Sequence, residues 1–273
     1  MREAIRNEDV IFNGTLTYYR HPAGKPFSRE TAIKISENWD TIDDIPRAFS
    51  KLVKKEAAES RKRKFAWDPE FGYLTPDPAW CGTGLAINCD VHLIGLDLLK
   101  NTNQTIDALY ATRICCDSVS YMDIKDAGQL FSLENAASLG ISDRDLVRRI
   151  SSVLEGLATQ ETNARKKILK DCKSIFDDAI ERSLALLKNA RLLSKVEVLD
   201  MISPLVFAKT VDFIDGISLD FLHTMMFEFY DNAFDDENAP AEEIEFSDGV
   251  LADHIRSIFK NVKLNAAGRK FLR

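Results

Sequence analysis

No stretch of this 273-residue chain approaches the roughly 18 to 20 consecutive apolar residues that a membrane helix needs. The residues from Met1 to Asp9 also lack the apolar run of a secretory signal. A cytoplasmic protein with no membrane partner is the expectation. Cysteine is scarce and poorly spaced for metal. The five cysteines (Cys81, Cys89, Cys115, Cys116, Cys172) are odd in number and contain no C-x-x-C pair. That argues against a disulfide framework and against a zinc site, and favours reduced, mostly buried thiols. An excess of positive charge is missing as well. A net charge of -7 and a pI near 5.3 speak against a general nucleic-acid binder.

One absence is local. Between Lys209 and Arg256 there are thirteen acids and neither Lys nor Arg, whereas Arg256 to Arg273 carries six basic residues and no acid. Two readings are open: a solvated acidic surface beside a basic tail, or a tail that folds onto its own acidic strip or a partner's. The cluster Arg61-Lys62-Arg63-Lys64 reads either as a localisation or nucleic-acid patch or as a solvated helix face. Glu56 and Glu59 interrupt the basic residues of that helix and favour the second.

What is present changes character along the chain. Residues up to about 140 mix strands and helices, and from Ser142 onward helix follows helix. Asp9 to Arg20 is β-rich and closes in a turn at His21 to Pro26, while Pro46 to Lys64 carries apolar residues at helical spacing. From Leu85 to Leu93 the apolar residues Leu85, Ile87, Cys89, Val91 and Leu93 alternate with Ala86, Asn88, Asp90 and His92. The first set is expected to face a core, the second solvent or a cleft. His92 reads more simply as a hydrogen-bonding residue than as a catalyst. Arg113 to Cys116 and Gln129 to Leu133 are further strand candidates. Helices are expected from Ser142, over Ser174 to Leu193, from a Ser194–Glu197 capping box, over Ser218 to Tyr230, and over Val250 to Val262. Pro204 is expected near the end of the third of these, or to kink it.

The stretch Gly72-Tyr73-Leu74-Thr75, Pro78, Gly82-Thr83-Gly84-Leu85 resembles, without a gap, the central motif of the ATP:guanido phosphotransferases. Asp9 to Arg20 with Pro26-Phe27, and Gly128 to Asn135 with Leu139-Gly140-Ile141-Ser142, resemble two further stretches of that family. Arg182-Ser183-Leu184 and Asn189 to Ser194 resemble the helical C-terminal part of its bacterial protein-arginine kinase branch, McsB. The resemblance implies an α+β fold: a phosphagen-kinase-type domain, an antiparallel sheet flanked by helices, followed by an all-helical domain. The expected division is a degenerate guanidino-kinase-like domain over 1–165 and a helical McsB-type domain over 166–273, with an acidic linker at 235–248 and a basic tail at 256–273.

By the same resemblance, Thr15, Thr17, Ala86 and Asp117 stand where the family has phosphate-gripping arginines. Asp77 stands at its reactive cysteine, Trp80 at an asparagine, and Met122 at a loop glutamate. Arg20 matches a family arginine, and Arg113 is a candidate for a displaced one. Asn88, Asp90 and His92 are cleft-facing candidates from the alternation, and Trp80 is expected to plug the nucleotide cleft. Phosphoryl transfer rests on positioning and charge neutralisation, and one lost arginine costs about 10³ to 10⁵ in rate. The expectation is therefore a pseudokinase, not an enzyme, with no cofactor and no metal. It would act as a regulatory or binding subunit in protein-arginine phosphorylation and Clp proteolysis. Its partners would be an active arginine kinase, a zinc-containing McsA-like activator, a Clp unfoldase or phosphoarginine proteins, or a second copy in a homodimer. Two alternatives stay open: an active protein-arginine kinase using ATP and Mg²⁺ in a rearranged site built on Arg20, Lys25 or Arg113, and a structural assembly subunit.

Overall fold

Alternation of apolar and polar residues builds the first half of the molecule. The computed structural model describes residues 10–118, 127–231 and 241–272. Asp9, Met122 and positions 232–240 of the acidic stretch lie outside them. Five strands, β1 (Ile11–Arg20), β2 (Ile33–Trp39), β5 (Leu85–His92), β6 (Ile114–Ser118) and β7 (Leu130–Asn135), form one antiparallel sheet in the order β2-β1-β5-β7-β6. Two short strands, β3 (Trp67–Asp68) and β4 (Gly72–Tyr73), make a separate ribbon. One face of the large sheet presents Leu16, Tyr18, Ile35, Ile87, Cys89, Val91, Phe131 and Leu133, all buried. They pack with Ile45, Ala48 and Leu52 of α1 (Ile45–Lys62) and with Leu146, Ile150, Leu154 and Leu157 of α4 (Asp143–Asp171). Each such side chain contributes about 1.5 to 3 kcal/mol on burial. Gly14 sits next to a register shift in β1, where a Cβ would fall 2.0 Å from Trp39 Cζ2. Only glycine lets the Trp39 ring lie flat on the strand there.

The other face of this sheet is polar. The pairing register lines up Asn38, Thr15, Asn88, Glu134 and Cys115 in one row across all five strands. Asp90, Ser132 and Asp117 form a second row beside it.

Two small helices, α2 (Ile94–Leu98) and α3 (Thr102–Ala111), link β5 to β6. After α4 come α5 (Lys173–Asn189), α6 (Lys195–Thr210), β8 (Ile214–Asp215), α7 (Leu219–Asp231), α8 (Ala241–Phe259), β9 (Lys263–Leu264) and α9 (Ala266–Leu272). The fold is α+β, as expected, with the helical part second. Its core is separate and rich in Phe: Phe176 stacks on Phe207 at 4.2 Å between ring centroids, with Phe213 beside them. The Ser194–Glu197 capping box forms in both directions. Pro204 lies inside α6, buried, and the helix continues to Thr210.

α4 serves both cores. Its residues up to Ala164 join the sheet core, and Ile168 and Leu169 join the helical one. The expected division at 165/166 falls inside this helix. Where the cores meet, Glu161 and Arg165 are fully buried as an ion pair, Arg165 Nε donating to Glu161 Oε1 at 2.7 Å. Glu161 also accepts from the backbone N–H groups of Gly95 (2.6 Å) and Leu96 (2.8 Å) at the start of α2. Arg165 Nη2 donates to the carbonyl of His92 at 3.0 Å.

Two expectations for the C-terminal part change. The acidic stretch 235–248 is not a linker throughout, because residues 241–248 are the opening turns of α8. The basic tail is docked rather than loose. Lys263 pairs with Asp215 between β9 and β8, α9 packs under Phe213, and Lys173 Nζ caps the carbonyl of Phe271 at 3.0 Å. The basic face of α1 is solvated and charge-paired, with Lys51 and Lys55 on Glu37 and with Lys62 and Arg63 on Glu59.

Candidate active-site cleft

A cleft of about 290 Å³ opens at the β1–β2 end of the polar sheet face. It is lined by Tyr19, Arg29, Ala32, Lys34, Thr75, Pro76, Asp77, Trp80 and Glu134. Each wall has a local cause. Tyr19 and Lys34 are register partners on β1 and β2, and both point to the polar face because their neighbours Tyr18 and Ile35 fill the core. Lys34 Nζ lies 5.7 Å from the Tyr19 ring centroid, within reach of a weak cation–π contact. Across from them, Asp77 caps a short 3₁₀ turn at Pro78–Trp80, its Oδ1 accepting from the N–H of Ala79 at 2.9 Å. The turn carries Trp80 toward Tyr19, with ring centroids 6.1 Å apart.

The carboxylates here are not equivalent. Glu134, half-buried on β7, has its pKa raised, first by burial and then by the charge of Asp117, against a hydrogen bond from Asn88 that lowers it. Burial, with Glu134 as a further cause, also raises the pKa of Tyr19. The cleft thus holds two cations, Arg29 and Lys34, and two carboxylates, Asp77 and Glu134, around one aromatic pair. Cations of this kind suit phosphate oxygens, and a carboxylate poised between its two states suits proton transfer from a guanidinium.

The residues singled out by sequence are distributed unevenly around this cleft. Asp77 and Trp80 line it. Trp80 forms a wall and does not plug the space, contrary to expectation. Asn88 stands between Thr15 and Glu134 in the polar row, and Asp90 and Asp117 flank Ser132 in the next. Thr15 Oγ1 donates to Asn38 Oδ1 at 3.1 Å, and Thr17 shares a 2.9 Å hydrogen bond with Ser36, so both hydroxyls are tied to β2. Ala86 is fully buried.

Three candidates lie elsewhere. Arg20 is 3% exposed and points to the core side of β1. It donates to Glu56 at 3.2 Å and to the carbonyl of Thr83 at 2.7 Å, and it stacks on Tyr73 at 3.7 Å. It holds the Gly82–Leu85 motif to α1 and does not line the cleft. His92 is buried, not cleft-facing, because α6 covers that end of β5. Its Nε2 hydrogen-bonds Ser203 Oγ at 2.7 Å, and Ser203 in turn donates to Gln129. Arg113 begins β6 at the far edge of the sheet and opens onto a different depression. Sequence reasoning missed Arg29, Lys34 and Glu134. The signal for Lys34 was the alternation of Ile33 and Ile35 with Lys34 and Ser36, which marks β2.

A family model for the ATP:guanido phosphotransferase C-terminal catalytic domain matches residues 28–164. The chain belongs to this family. Among the ATP:guanido phosphotransferases, the protein-arginine kinase of Pelotomaculum thermopropionicum is 26% identical over 194 residues, 71% of this chain and 52% of its own length. That of Bacillus mycoides is 28% identical over 208 residues, 73% of this chain and 59% of its own. The chain therefore spans only about half to three-fifths of the length of these curated relatives. Among solved structures, a lombricine kinase overlays 62% of this chain and 70% of its own with a TM-score of 0.46 at 15% identity. That overlay is loose, and the family membership rests on the sequence match.

The family overturns the expectation of a non-enzyme. The matched domain is a catalytic one, and the curated relatives carry the name of an enzyme. The expectation weighed the neutral residues at 15, 17 and 86 and did not see the cations that β2 and the preceding loop bring to the cleft. Among the described residues no helix is long and apolar enough to cross a membrane.

Proposed function

We propose that this chain is an ATP-dependent guanidino phosphotransferase of the protein-arginine kinase type, working in the cleft between Tyr19 and Trp80. The observation that carries the reading is the convergence of Arg29 and Lys34 with Asp77 and Glu134 on one cleft of a chain that belongs to this family. Arg29 and Lys34 receive the phosphates. Glu134, with Asp117 behind it, receives the guanidinium. A guanidinium nitrogen attacks the γ-phosphorus, an N–P bond forms, and the P–O bond to ADP breaks. The guanidinium proton passes to the Glu134 carboxylate, whose raised pKa fits it for that transfer. Among the described residues no three His, Cys, Asp or Glu side chains form a metal cage. Mg²⁺ commonly binds through substrate phosphates with one or two carboxylates, and Asp77 is suited to that part.

The test is phosphoryl transfer from Mg-ATP to an arginine-rich protein, read as acid-labile phosphoarginine by mass spectrometry. Transfer is expected in the unmodified chain and should fall about 10² to 10⁴-fold in Glu134→Gln, the range for a lost general base. No transfer, together with no thermal stabilisation by Mg-ATP, would remove the reading.

The neutral side chains at Thr15, Thr17 and Ala86 favour a second role beside the first: a regulatory or binding partner within protein-arginine phosphorylation. An active arginine kinase, its activator, a Clp unfoldase or phosphoarginine-bearing proteins would be the partners. Mass photometry at micromolar concentration tests this, and a lack of association with all of them would end it.

A further inference from the structure

On the outer side of the edge strand β6, away from the cleft, a depression of about 460 Å³ is lined by Ala111, Thr112, Arg113, Arg149, Ser152 and Val153. We infer that it is a binding site for a phosphate-sized dianion, held between the guanidinium groups of Arg113 and Arg149. The two arginines reach it from different elements, Arg113 from the turn between α3 and β6 and Arg149 from the first turns of α4. Neither is among the described salt bridges.

The nearest carboxylate on α4 is already committed. Asp145 accepts from Ser142 Oγ through one oxygen and from Arg148 through the other. Arg149 acts on Asp145 only through its charge. Two like charges facing one space repel, and a dianion between them turns that repulsion into two charge-assisted, potentially bidentate contacts. Ser152 adds a hydroxyl donor. Thr112 is tied inward, its Oγ1 donating to the carbonyl of Leu109 at 2.7 Å. The end of α3 would otherwise turn free carbonyls toward the anion. Here the N–H groups of Thr112 and Arg113 engage the carbonyls of Leu109 and Tyr110.

Arg113 is also held in the left-handed region at φ 62°, fixed by hydrogen bonds from its N–H to Tyr110 and to its carbonyl from Ala136. That conformation is unfavourable for an arginine and free for a glycine. Arg113→Gly therefore removes the guanidinium without a folding penalty from the turn, which makes it the cleaner variant.

The experiment titrates the full chain with inorganic phosphate at constant ionic strength, following backbone amide shifts, for the unmodified chain, Arg113→Gly, Arg149→Ala and Lys34→Ala. Saturable binding is expected, weakened at least tenfold in each of the first two variants and unchanged in Lys34→Ala. Loss of binding only in Lys34→Ala would put the phosphate in the cleft and overturn the inference. Absence of saturable binding up to about 10 mM would overturn it too, as that is far weaker than two charge-assisted contacts imply. Acetate binding as tightly as phosphate would overturn the dianion assignment. A phosphoserine peptide binding more tightly than free phosphate supports the site and makes its source a modified protein. Equal binding supports the site with the free anion as its ligand.

Discussion

Glu161→Gln is the sharpest probe of how the two cores are joined. Glu161 accepts three N–H groups, from Gly95, Leu96 and Arg165, at 2.6 to 2.8 Å, and both members of the ion pair are 0% exposed. Glutamine replaces one acceptor oxygen with a donor, so at least one buried N–H must face another N–H. It also leaves the Arg165 guanidinium without its countercharge in a water-free site. Breaking one side of such a pair costs about 3 to 5 kcal/mol, a large part of the roughly 5 to 15 kcal/mol that holds a typical protein together. Arg165→Met is expected to cost less, because the Glu161 carboxylate keeps two backbone donors and methionine packs on Phe207, which the guanidinium already faces at 5.3 Å. The double variant should then cost about 1 to 3 kcal/mol less than the sum of the singles. Urea unfolding offers two readouts. The three tryptophans, Trp39, Trp67 and Trp80, all report on the sheet half, while far-ultraviolet circular dichroism is dominated by the helices. The two curves should coincide in the unmodified chain and separate in Glu161→Gln. A cost below about 1 kcal/mol, or strict additivity in the double variant, would refute the claim that the pair sits in a low-dielectric junction.

Other outcomes follow from named contacts. Arg20→Lys should destabilise by about 2 to 4 kcal/mol, because an ammonium cannot both stack on Tyr73 and reach Glu56 and Thr83; a change within 0.5 kcal/mol in thermal unfolding would contradict that. Glu134 has a raised pKa in the fold, so its ionised form is disfavoured and activity should decline as pH falls through a midpoint above the model value of 4.5. The same shift makes folding stability rise as pH falls across that window, and Glu134→Gln should flatten both profiles. His92 is held neutral by burial, the charge of Arg165 and that of His223, with its pKa far below 6.5. The unfolded chain therefore takes up a proton first, and stability should fall as pH drops below about 6.5. His92→Gln, read by urea midpoints between pH 5 and 7.5, should lose that slope, and an unchanged slope would assign it to other groups.

How far the sequence carries can be judged residue by residue. The alternation over Leu85 to Val91 gave the buried set correctly, since a half-buried strand must repeat every two residues. It failed at Ala86 and His92, because burial there comes from elements far away in sequence; α6 lies over the end of β5 and supplies Ser203 to His92. The Ser194–Glu197 box was legible because it is local chemistry. The start of α8 was not, since an acid-rich segment with a proline ahead of it looks the same in a solvated helix and in a linker. The cleft was half legible. Asp77 and Trp80 belong to the motif that carries the family resemblance, whereas Arg29 and Lys34 gain their role only from β2 pairing with β1. Arg20 looked like a site residue because charged side chains are rarely buried, and it proved to be one of the exceptions, paired and stacked.

The long helix α4 has a mechanical consequence. Its 29 residues, Asp143 to Asp171, make a rod of roughly 43 Å at 1.5 Å per residue. Near one end Asp143 accepts a hydrogen bond from the Tyr18 hydroxyl at 2.7 Å, behind the cleft, and the other end leads straight into α5. Such a rod converts angle into distance: a tilt of about 5° at the sheet displaces the far end by roughly 4 Å over that length. Anything that shifts the helical half, such as a bound protein, would be geared down to a sub-ångström adjustment behind β1. Anything that closes on the cleft would be geared up at the distant surface.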